Sequence, residues 1–149
     1  MPIITALLLL YLLGACTSDP APIPSPIPVA PPSTTEHIEK ARAYFQATHF
    51  DQAAAVAREG LSLDSTAVDL HNILASTYAA QGRYALAIES LEKAVVIEPN
   101  YAVGFVNLGG VYTTLGQYEQ AATHLQRAVQ IDSDNSPVRR RLGELYLCL

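Results

Sequence analysis

The 149-residue chain has no tryptophan, one methionine and only two cysteines, Cys16 and Cys148. Two cysteines this far apart cannot build a disulfide framework, and their spacing is wrong for a zinc site. The four histidines are scattered and form no HExxH-type pair, and neither a phosphate-binding loop nor a nucleophile beside a base can be recognised. We therefore predict no catalytic residues, no metal site, no cofactor and no enzymatic activity.

Positive charge is scarce as well. Nine Lys and Arg stand against fourteen Asp and Glu, so the formal net charge is −5. Nucleic-acid binding draws on a basic surface, and this balance argues against such a partner. The one basic cluster in the sequence, Arg139, Arg140 and Arg141, is more often a solvated helix start than a phosphate site. Half of the residues are hydrophobic, which suits one globular domain with additional chain at one end.

Residues 3–13 form an apolar run that is interrupted only by Thr5 and Tyr11. As a helix rising ~1.5 Å per residue, this run would span roughly 16 Å, about half of the ~30 Å hydrocarbon core of a bilayer. It is too short to cross a membrane but has the length of the apolar region of a secretory signal. A core strand or helix is the other interpretation of this run.

A short sequence, Leu13-Gly14-Ala15-Cys16, follows directly. It resembles the lipobox of bacterial lipoproteins, in which the signal is cut before the cysteine and the cysteine is lipidated. The resemblance implies a signal peptide over residues 1–15 and lipid attachment at Cys16. Thr17 stands in place of the Asp that retains such proteins at the inner membrane, which implies the outer membrane, facing the periplasm. Met1-Pro2 lacks the positive charge that normally opens a signal, so either the start lies upstream or the signal is atypical.

Residues 17–35 contain seven prolines. Proline fixes φ and lacks the amide hydrogen, so this stretch forms neither a helix nor a sheet. Because an extended polyproline II chain rises ~3.1 Å per residue, the segment could reach roughly 60 Å. We interpret residues 16–35 as a semi-rigid linker, carrying the lipidated cysteine, that holds the folded domain away from the membrane. A proline-rich recognition motif is the alternative.

From Glu36 onward the sequence repeats with a period of 34 residues, which is the signature of a helical repeat array. A small residue three positions before each repeated tyrosine lies on the same helical face and allows a neighbouring helix to approach closely. The repeated columns are Tyr44, Tyr78, Tyr112 and Tyr146; Ala41, Ala75, Gly109 and Gly143; Phe50, Tyr84 and Tyr118; Ala53, Ala87 and Ala121; and Gly60, Ala94 and Ala128.

Turn and cap signals separate the predicted helices. Gly82 and Gly116 come four residues after a tyrosine, where a chain leaving a helix commonly needs a left-handed residue. The next helix then opens at Tyr84, and Pro99 ends that unit because proline cannot continue a helix. The polar residues 132–135 are suited to cap the helix that follows them.

These features resemble the tetratricopeptide repeat, and the resemblance covers about three-quarters of the chain. It implies an all-α superhelix of helix–turn–helix units over residues 36–149, with three repeats and a terminal helix. The first unit departs from the pattern, because Thr48 replaces the turn glycine and Lys40 replaces a leucine. His37 and His71 occupy the usual tryptophan column and are interpreted as packed side chains. The units are residues 34–67, 68–101, 102–135 and the partial unit 136–149.

In this family the first helix of each pair lines a groove, so the resemblance implies a protein or peptide partner, here an extended or helical segment with some apolar character. Asn72 and Asn107 are suited to the task, since an Asn amide can pair with both groups of a peptide backbone. The basic clamp that some relatives use on a terminal carboxylate is not expected, because Ile38, Ile73 and Val103 stand at three of its positions. The predicted groove residues are Ile38, Arg42, Phe45, Asn72, Ser76, Val103, Val106, Asn107, Thr113 and Arg140, and the same columns also contain Asp69, Ala79, Gly110, Glu144 and Leu147.

A lipobox joined to such repeats is similar to the pilotin lipoproteins of type IV pilus assembly and to the outer-membrane adaptors of cell-wall hydrolases. The resemblance implies a membrane-anchored adaptor or scaffold of the bacterial cell envelope. The alternative is a soluble interaction or regulatory subunit whose N-terminus is not lipidated. Cys148 is either a buried small residue or a bridge between two chains in an oxidising envelope, and the oligomeric state stays open.

Overall fold

The computed structural model describes residues 33–147, in which the chain forms seven α-helices and no β-strand. The helices are α1 (Thr34–Gln46), α2 (Phe50–Leu63), α3 (Val68–Ala80), α4 (Tyr84–Ile97), α5 (Ala102–Thr114), α6 (Tyr118–Ile131) and α7 (Ser136–Tyr146). Helices α1, α3, α5 and α7 begin 34 residues apart, and each of the first three forms a pair with the helix that follows it. The predicted all-α arrangement of three helix pairs and a terminal helix is confirmed.

The described region does not test the predictions made for the N-terminal segment and for the last cysteine. The signal peptide, Cys16, the linker up to residue 32 and Cys148 lie outside the described residues. Within residues 33–147, no helix is both long enough and apolar enough to span a bilayer.

The three turns inside the helix pairs share one backbone geometry. Gly82 and Gly116 have φ angles of 73° and 71°, as predicted for left-handed residues. Thr48 has a φ of 61°, so the first pair keeps the same turn without a glycine. In each turn the next amide donates a hydrogen bond of 2.8–2.9 Å to the carbonyl of the repeated tyrosine, from His49 to Tyr44, from Arg83 to Tyr78 and from Gln117 to Tyr112.

Side-chain caps begin the first and last helices. Ser33 and Glu36 form a reciprocal capping box at α1, in which the Ser33 hydroxyl accepts from the Glu36 amide at 3.3 Å and the Glu36 carboxylate accepts from the Ser33 amide at 3.0 Å. At α7, the Asn135 side chain accepts from the Val138 amide at 3.3 Å, and Pro137 lies in the first turn. The capping role predicted for residues 132–135 is therefore confirmed at Asn135.

Two clusters of buried side chains form the core of the helical domain. The first runs through α1–α5 and includes Leu70, and the second joins α6 to α7 through Leu125 and Leu145. Phe105 and Tyr112 of α5 pack against both clusters. The array is therefore held together by contacts between successive helices, as in other stacked repeats.

The two histidines of the tryptophan column have the packing role that the sequence indicated. His37 and His71 are buried, and a ring nitrogen of each lies 2.9 Å from a backbone carbonyl, that of Ser33 and that of Ser65 respectively. A Cβ atom on Gly60 would lie 2.7 Å from the His37 Cβ, so the glycine allows α2 to approach α1 closely.

Candidate functional site

Three adjoining cavities lie along α3, α5 and α7, with volumes of about 340, 580 and 420 Å³. Gly110 lines the first and second cavities, Val106 lines the first and third, and Arg141 lines all three. The cavities therefore form one continuous surface along the first helices of successive pairs. We call this surface the groove, and its central residues are Ser76, Val103, Val106, Asn107, Gly110 and Arg141.

Most of the predicted groove residues lie along these cavities. Ser76, Val106 and Asn107 line the first cavity, and Thr113 lines the second. Val103 and Arg140 line the third, together with Val106. The helical register of α3, α5 and α7 brings these side chains to one face, although they are separated by up to 64 positions in the sequence.

The three groove residues predicted in α1 do not line these cavities. Ile38 packs partly against the first core cluster, and the Phe45 ring contacts the Phe50 ring with 5.8 Å between centroids. Arg42 is exposed. The face of α1 thus contributes side chains that are partly engaged in packing, and a partner-binding role for them stays a prediction.

A direct hydrogen bond joins the two predicted groove asparagines. The Asn107 Nδ2 atom donates to the Asn72 Oδ1 atom at 2.6 Å, which links α5 to α3. The bond uses one of the two donors of Asn107 and one acceptor lone pair of Asn72. Both amides therefore retain donor and acceptor capacity for the backbone of a bound segment.

Tyr101, which the sequence analysis did not single out, directly precedes α5 and lies close to charged residues of its own unit and of the first unit. Burial raises the pKa of its phenol, the negative charges of Asp69 and Glu98 raise that pKa further, and the positive charge of Arg42 lowers it. A Cβ atom on Gly104 would lie 2.7 Å from the Tyr101 Cδ1 atom, so this glycine lets the ring lie against α5. The sequence signal that could have indicated this contact is an aromatic residue three positions before a glycine inside a helix.

The arginine cluster is exposed near the start of α7, as predicted, and one of its members, Arg141, also contributes to the groove. Its side chain is exposed but lines all three cavities of the groove. The sequence did contain a signal for this position, because Arg141 follows Asn107 by one repeat of 34 residues. Arg140 instead lies 3.8 Å from a Glu144 oxygen, in an exposed pair one helical turn apart, which contributes little to stability.

The groove has no metal-binding chemistry in the part of the chain that is described. Among residues 33–147, no group of three or more His, Cys, Asp or Glu side chains is arranged to hold an ion. What the groove offers is a mixture of neutral polar groups, small apolar side chains, the guanidinium groups of Arg140 and Arg141 and the carboxylates of Asp132 and Glu144, which suits the binding of a polypeptide segment.

Comparison with known sequences identifies the repeats. The family model described as tetratricopeptide repeat matches residues 65–134. The chain is similar to the Hsp70-Hsp90 organizing protein of Triticum aestivum, with 27% identity over 105 residues, and to the Superkiller complex protein 3 of Homo sapiens, with 26% identity over 106 residues. These matches cover 70% and 71% of this chain but only 18% and 7% of the two relatives. An uncharacterized protein, ycf37 of Guillardia theta, is 33% identical over 101 residues, which are 64% of this chain and 57% of that protein.

Comparison with solved structures agrees on the fold. The first tetratricopeptide domain of Spaghetti (RPAP3), solved with the HSP90 peptide SRMEEVD, has a TM-score of 0.74 at 21% identity and covers 78% of this chain and 92% of that one. The Arabidopsis OM64 domain has a TM-score of 0.75 at 16% identity, covering 78% and 97%. MamA has a TM-score of 0.68 at 27% identity, covering 76% and 62%. The helical part of this chain therefore has the all-α tetratricopeptide fold, and its residues 65–134 match the model of that repeat family.

Proposed function

We propose that this chain is a membrane-anchored adaptor of the bacterial cell envelope that holds a segment of another protein in its groove. The observation that carries the protein-binding part is the continuous surface of three cavities lined by side chains from α3, α5 and α7. A domain of the same fold in RPAP3 has been solved with an HSP90 peptide and another with an HSP70 peptide. These complexes support a peptide as the kind of ligand, while the partner of this chain is a separate question.

The anchoring part of the proposal is based on Cys16 and the segment around it. A lipidated amino terminus would carry more than one acyl chain, and anchoring becomes stable when two chains are buried. The proline-rich linker would then place the groove at a distance from the lipid surface. In that position the adaptor could bring a client protein to an envelope assembly such as the type IV pilus machine, as the resemblance to pilotins suggests.

The anchor is tested by metabolic labelling with a palmitate analogue. We expect the wild type to be labelled, Cys16→Ala to lose the label, and Cys148→Ala, as the control cysteine, to keep it. Detergent should release the wild type from membranes, whereas salt should not. Equal labelling of the wild type and Cys16→Ala, or release by salt alone, would favour the soluble interaction subunit.

The groove is tested by site-specific photocrosslinking in envelope preparations. A photoreactive residue is placed at Ser76, Val106 or Thr113, and at Glu89, an exposed residue on α4, as the control. We expect the three groove positions to capture the same protein and Glu89 not to capture it. Asn72→Ala and Asn107→Ala should reduce this capture without unfolding the chain. Capture of the same protein from Glu89 would show that binding does not involve the groove.

A further inference from the structure

Helix α7 has one face that the described helices leave uncovered. In α5 the small residue Gly109 is packed against the pair helix α6, since a Cβ atom there would lie 2.6 Å from the Leu125 Cγ atom. Gly143 occupies the same column of α7, but a Cβ atom there would meet no described atom within 4 Å. The Tyr146 side chain is 48% exposed, whereas its copy in α3, Tyr78, is 6% exposed. In the described part of the chain, α7 therefore has the packing columns of a first helix but no pair helix against them.

This uncovered face points away from the groove. At 3.6 residues per turn, Arg139, Gly143 and Tyr146 lie within about 60° of one another around the axis of α7. They lie on the side opposite Arg140 and Glu144, which line the third cavity. We call the surface of Arg139, Gly143 and Tyr146 the outer face of α7. A protein bound to the outer face would leave the groove open.

The outer face is suited to the close approach of another helix. Glycine inside a helix is less favourable than alanine, and Gly143 has no packing contact within the described residues that requires it. It does allow a second backbone to approach closely. Beside it, the Tyr146 ring is held by a hydrogen bond from the Gln126 amide to its hydroxyl. A helix that crosses α7 at Gly143 would bury this ring and the aliphatic stem of Arg139.

The charges of α7 favour a second α7 in the antiparallel orientation. Its first half contains Arg139, Arg140 and Arg141, although the start of a helix carries a partial positive charge and favours acidic residues. Its second half contains Glu144 and the partially negative end of the helix. An antiparallel pair places each arginine cluster beside the second half of the other helix. A parallel pair would place the two arginine clusters side by side.

We propose that two copies of this chain associate through the outer faces of α7, with the two helices antiparallel and crossing at Gly143 on a twofold axis. Such an interface is self-complementary, and each α7 takes the place of the missing pair helix of the other. Residues three or four positions on either side of the crossing then meet, so Arg139 of each copy lies against Tyr146 of the other. The same kind of contact occurs within the chain, where the Arg83 Cζ atom lies 4.9 Å from the ring centroid of Tyr78.

This association is expected to be weak. Two helices of 11 residues bury less than the ~1,200 Å² of a stable interface, so we expect a dissociation constant on the order of 100 µM. At micromolar concentration the chain is then monomeric, and the stability of the single domain can be measured separately. The inference does not depend on the proposed function, because it uses neither the groove nor the lipid anchor.

Disulfide formation tests the crossing point. The full chain with Cys16→Ser and Cys148→Ser is the background, used at concentrations above the expected dissociation constant. We expect Gly143→Cys to form a covalent dimer on mild oxidation, because the crossing brings the two copies of this position within the ~7 Å Cα separation that a disulfide allows. Glu89→Cys, an exposed position on α4, is the control and should stay monomeric. Equal crosslinking of the two variants would overturn the proposal.

A mixture of two variants in the same background tests the orientation. Arg139→Cys mixed with Tyr146→Cys should form a mixed disulfide dimer, because these positions meet across an antiparallel crossing. Tyr146→Cys alone should crosslink poorly, since its two copies are then about 9 Å apart along the helix axes. Efficient crosslinking of Tyr146→Cys with itself, without the mixed dimer, would indicate a parallel pair and overturn the proposed geometry.

Sedimentation equilibrium of the full chain without introduced cysteines tests the close approach. Gly143→Leu should weaken self-association at least tenfold, because its side chain occupies the space that the second helix needs. Glu89→Leu, which adds the same side chain on α4, should associate as the wild type does. A wild type that stays monomeric at millimolar concentration, or Gly143→Leu that associates equally well, would overturn the pairing of α7. Either result would leave peptide capture by the groove intact.

Discussion

Gly109 and Gly143 occupy the same repeat column but have opposite surroundings. A Cβ atom on Gly109 would lie 2.6 Å from the Leu125 Cγ atom and 3.3 Å from the Ala121 carbonyl oxygen. A Cβ atom on Gly143 would meet nothing within 4 Å. A column of small residues predicts that neighbouring helices approach closely at that column. The packing around each repeat determines whether a side chain is excluded there, as at Gly109, or tolerated, as at Gly143.

Alanine at these two positions should therefore change stability in opposite directions. We expect Gly109→Ala to lower the free energy of unfolding by about 1–2 kcal/mol, because the cost of overpacking exceeds the gain in helix propensity. Gly143→Ala should raise it by about 0.5–1 kcal/mol, because only the propensity changes. Urea denaturation of the two variants measures both effects, and a shift of the same sign in each would contradict the packing argument.

His124 is a second residue whose environment predicts a measurable effect. Its ring stacks on Tyr112 with 5.3 Å between centroids and lies 6.2 Å from the Phe105 ring. Burial lowers the pKa of His124 below its ordinary value of 6.5, and the negative charge of Glu92 opposes this shift. The unfolded chain therefore binds a proton at a higher pH than the folded chain does.

The stability of the domain should in consequence decrease as the pH falls from about 6.5 through the lower pKa of folded His124. Below that pKa both states are protonated and the loss is complete. His124→Phe keeps an aromatic ring without a titrating group, so its free energy of unfolding should fall less than that of the wild type between pH 7.5 and pH 5. The comparison cancels the titration of the other histidines, and an equal loss in both proteins would exclude His124 as the source.

At the scale of the elements, the turn between α1 and α2 has the same left-handed residue as the other two turns but builds it from threonine. A residue with a side chain is destabilised by about 1–2 kcal/mol in this left-handed conformation. Glycine avoids this strain, but it loses more conformational entropy when the chain folds. The first unit is therefore degenerate in sequence at this position while its backbone follows the repeat. The three turns share one backbone geometry, which is held by a hydrogen bond from a turn amide to the carbonyl of Tyr44, Tyr78 or Tyr112.

Thr48→Gly should accordingly raise the free energy of unfolding by about 0.5–1 kcal/mol, since the relief of strain exceeds the added entropy of the unfolded chain. Gly82→Thr serves as the reverse control and should lower the free energy of unfolding by about the same amount or more. No atom lies within 4 Å of a Cβ built on Gly82, so this control reports the backbone alone. A loss of stability in Thr48→Gly, measured by chemical denaturation, would contradict the strain assigned to this turn.

At the scale of the whole domain, the two core clusters of residues 33–147 meet at α5. Phe105 and Tyr112 pack against both clusters, and the second cluster joins α7 to α6 through Val138 and Leu145. Repeat arrays of this kind have stabilities that depend on nearest-neighbour contacts. A defect in α7 should consequently remain local.

Leu145→Ala tests this expectation. Truncating a buried leucine costs about 2–5 kcal/mol, and the loss should fall on the contact between α6 and α7. Hydrogen exchange should show reduced protection of amides in α7 and then in α6, with α3 and α4 close to wild type. A matched truncation at Leu70, in the first cluster, should reduce protection in α1–α4 instead. Uniform loss of protection across the domain by Leu145→Ala would indicate a single cooperative unit.

Much of the groove could be predicted by carrying the groove columns of the resembling family onto this sequence, because residues one period apart occupy equivalent faces of successive helices. Ser76 and Gly110, which are 34 positions apart, both line the first cavity. Arg141 was predicted to be solvated and is exposed, but it was not included among the predicted groove residues. Its place along the three cavities depends on how α7 is positioned relative to α5, which no local pattern contains.

The helices, the left-handed turns at Gly82 and Gly116, and the cap at Asn135 follow from the amino-acid sequence, because they depend on interactions within a few residues of the chain. The segment around Cys16, and the membrane anchor proposed from it, are likewise read from the sequence. Three features became visible in the folded domain alone: Asn107 donates to Asn72, Gly109 is packed against Leu125 while Gly110 has open space beside it, and Arg141 lines the groove. These features join residues about 16 to 35 positions apart, so they depend on the distances and angles between packed helices.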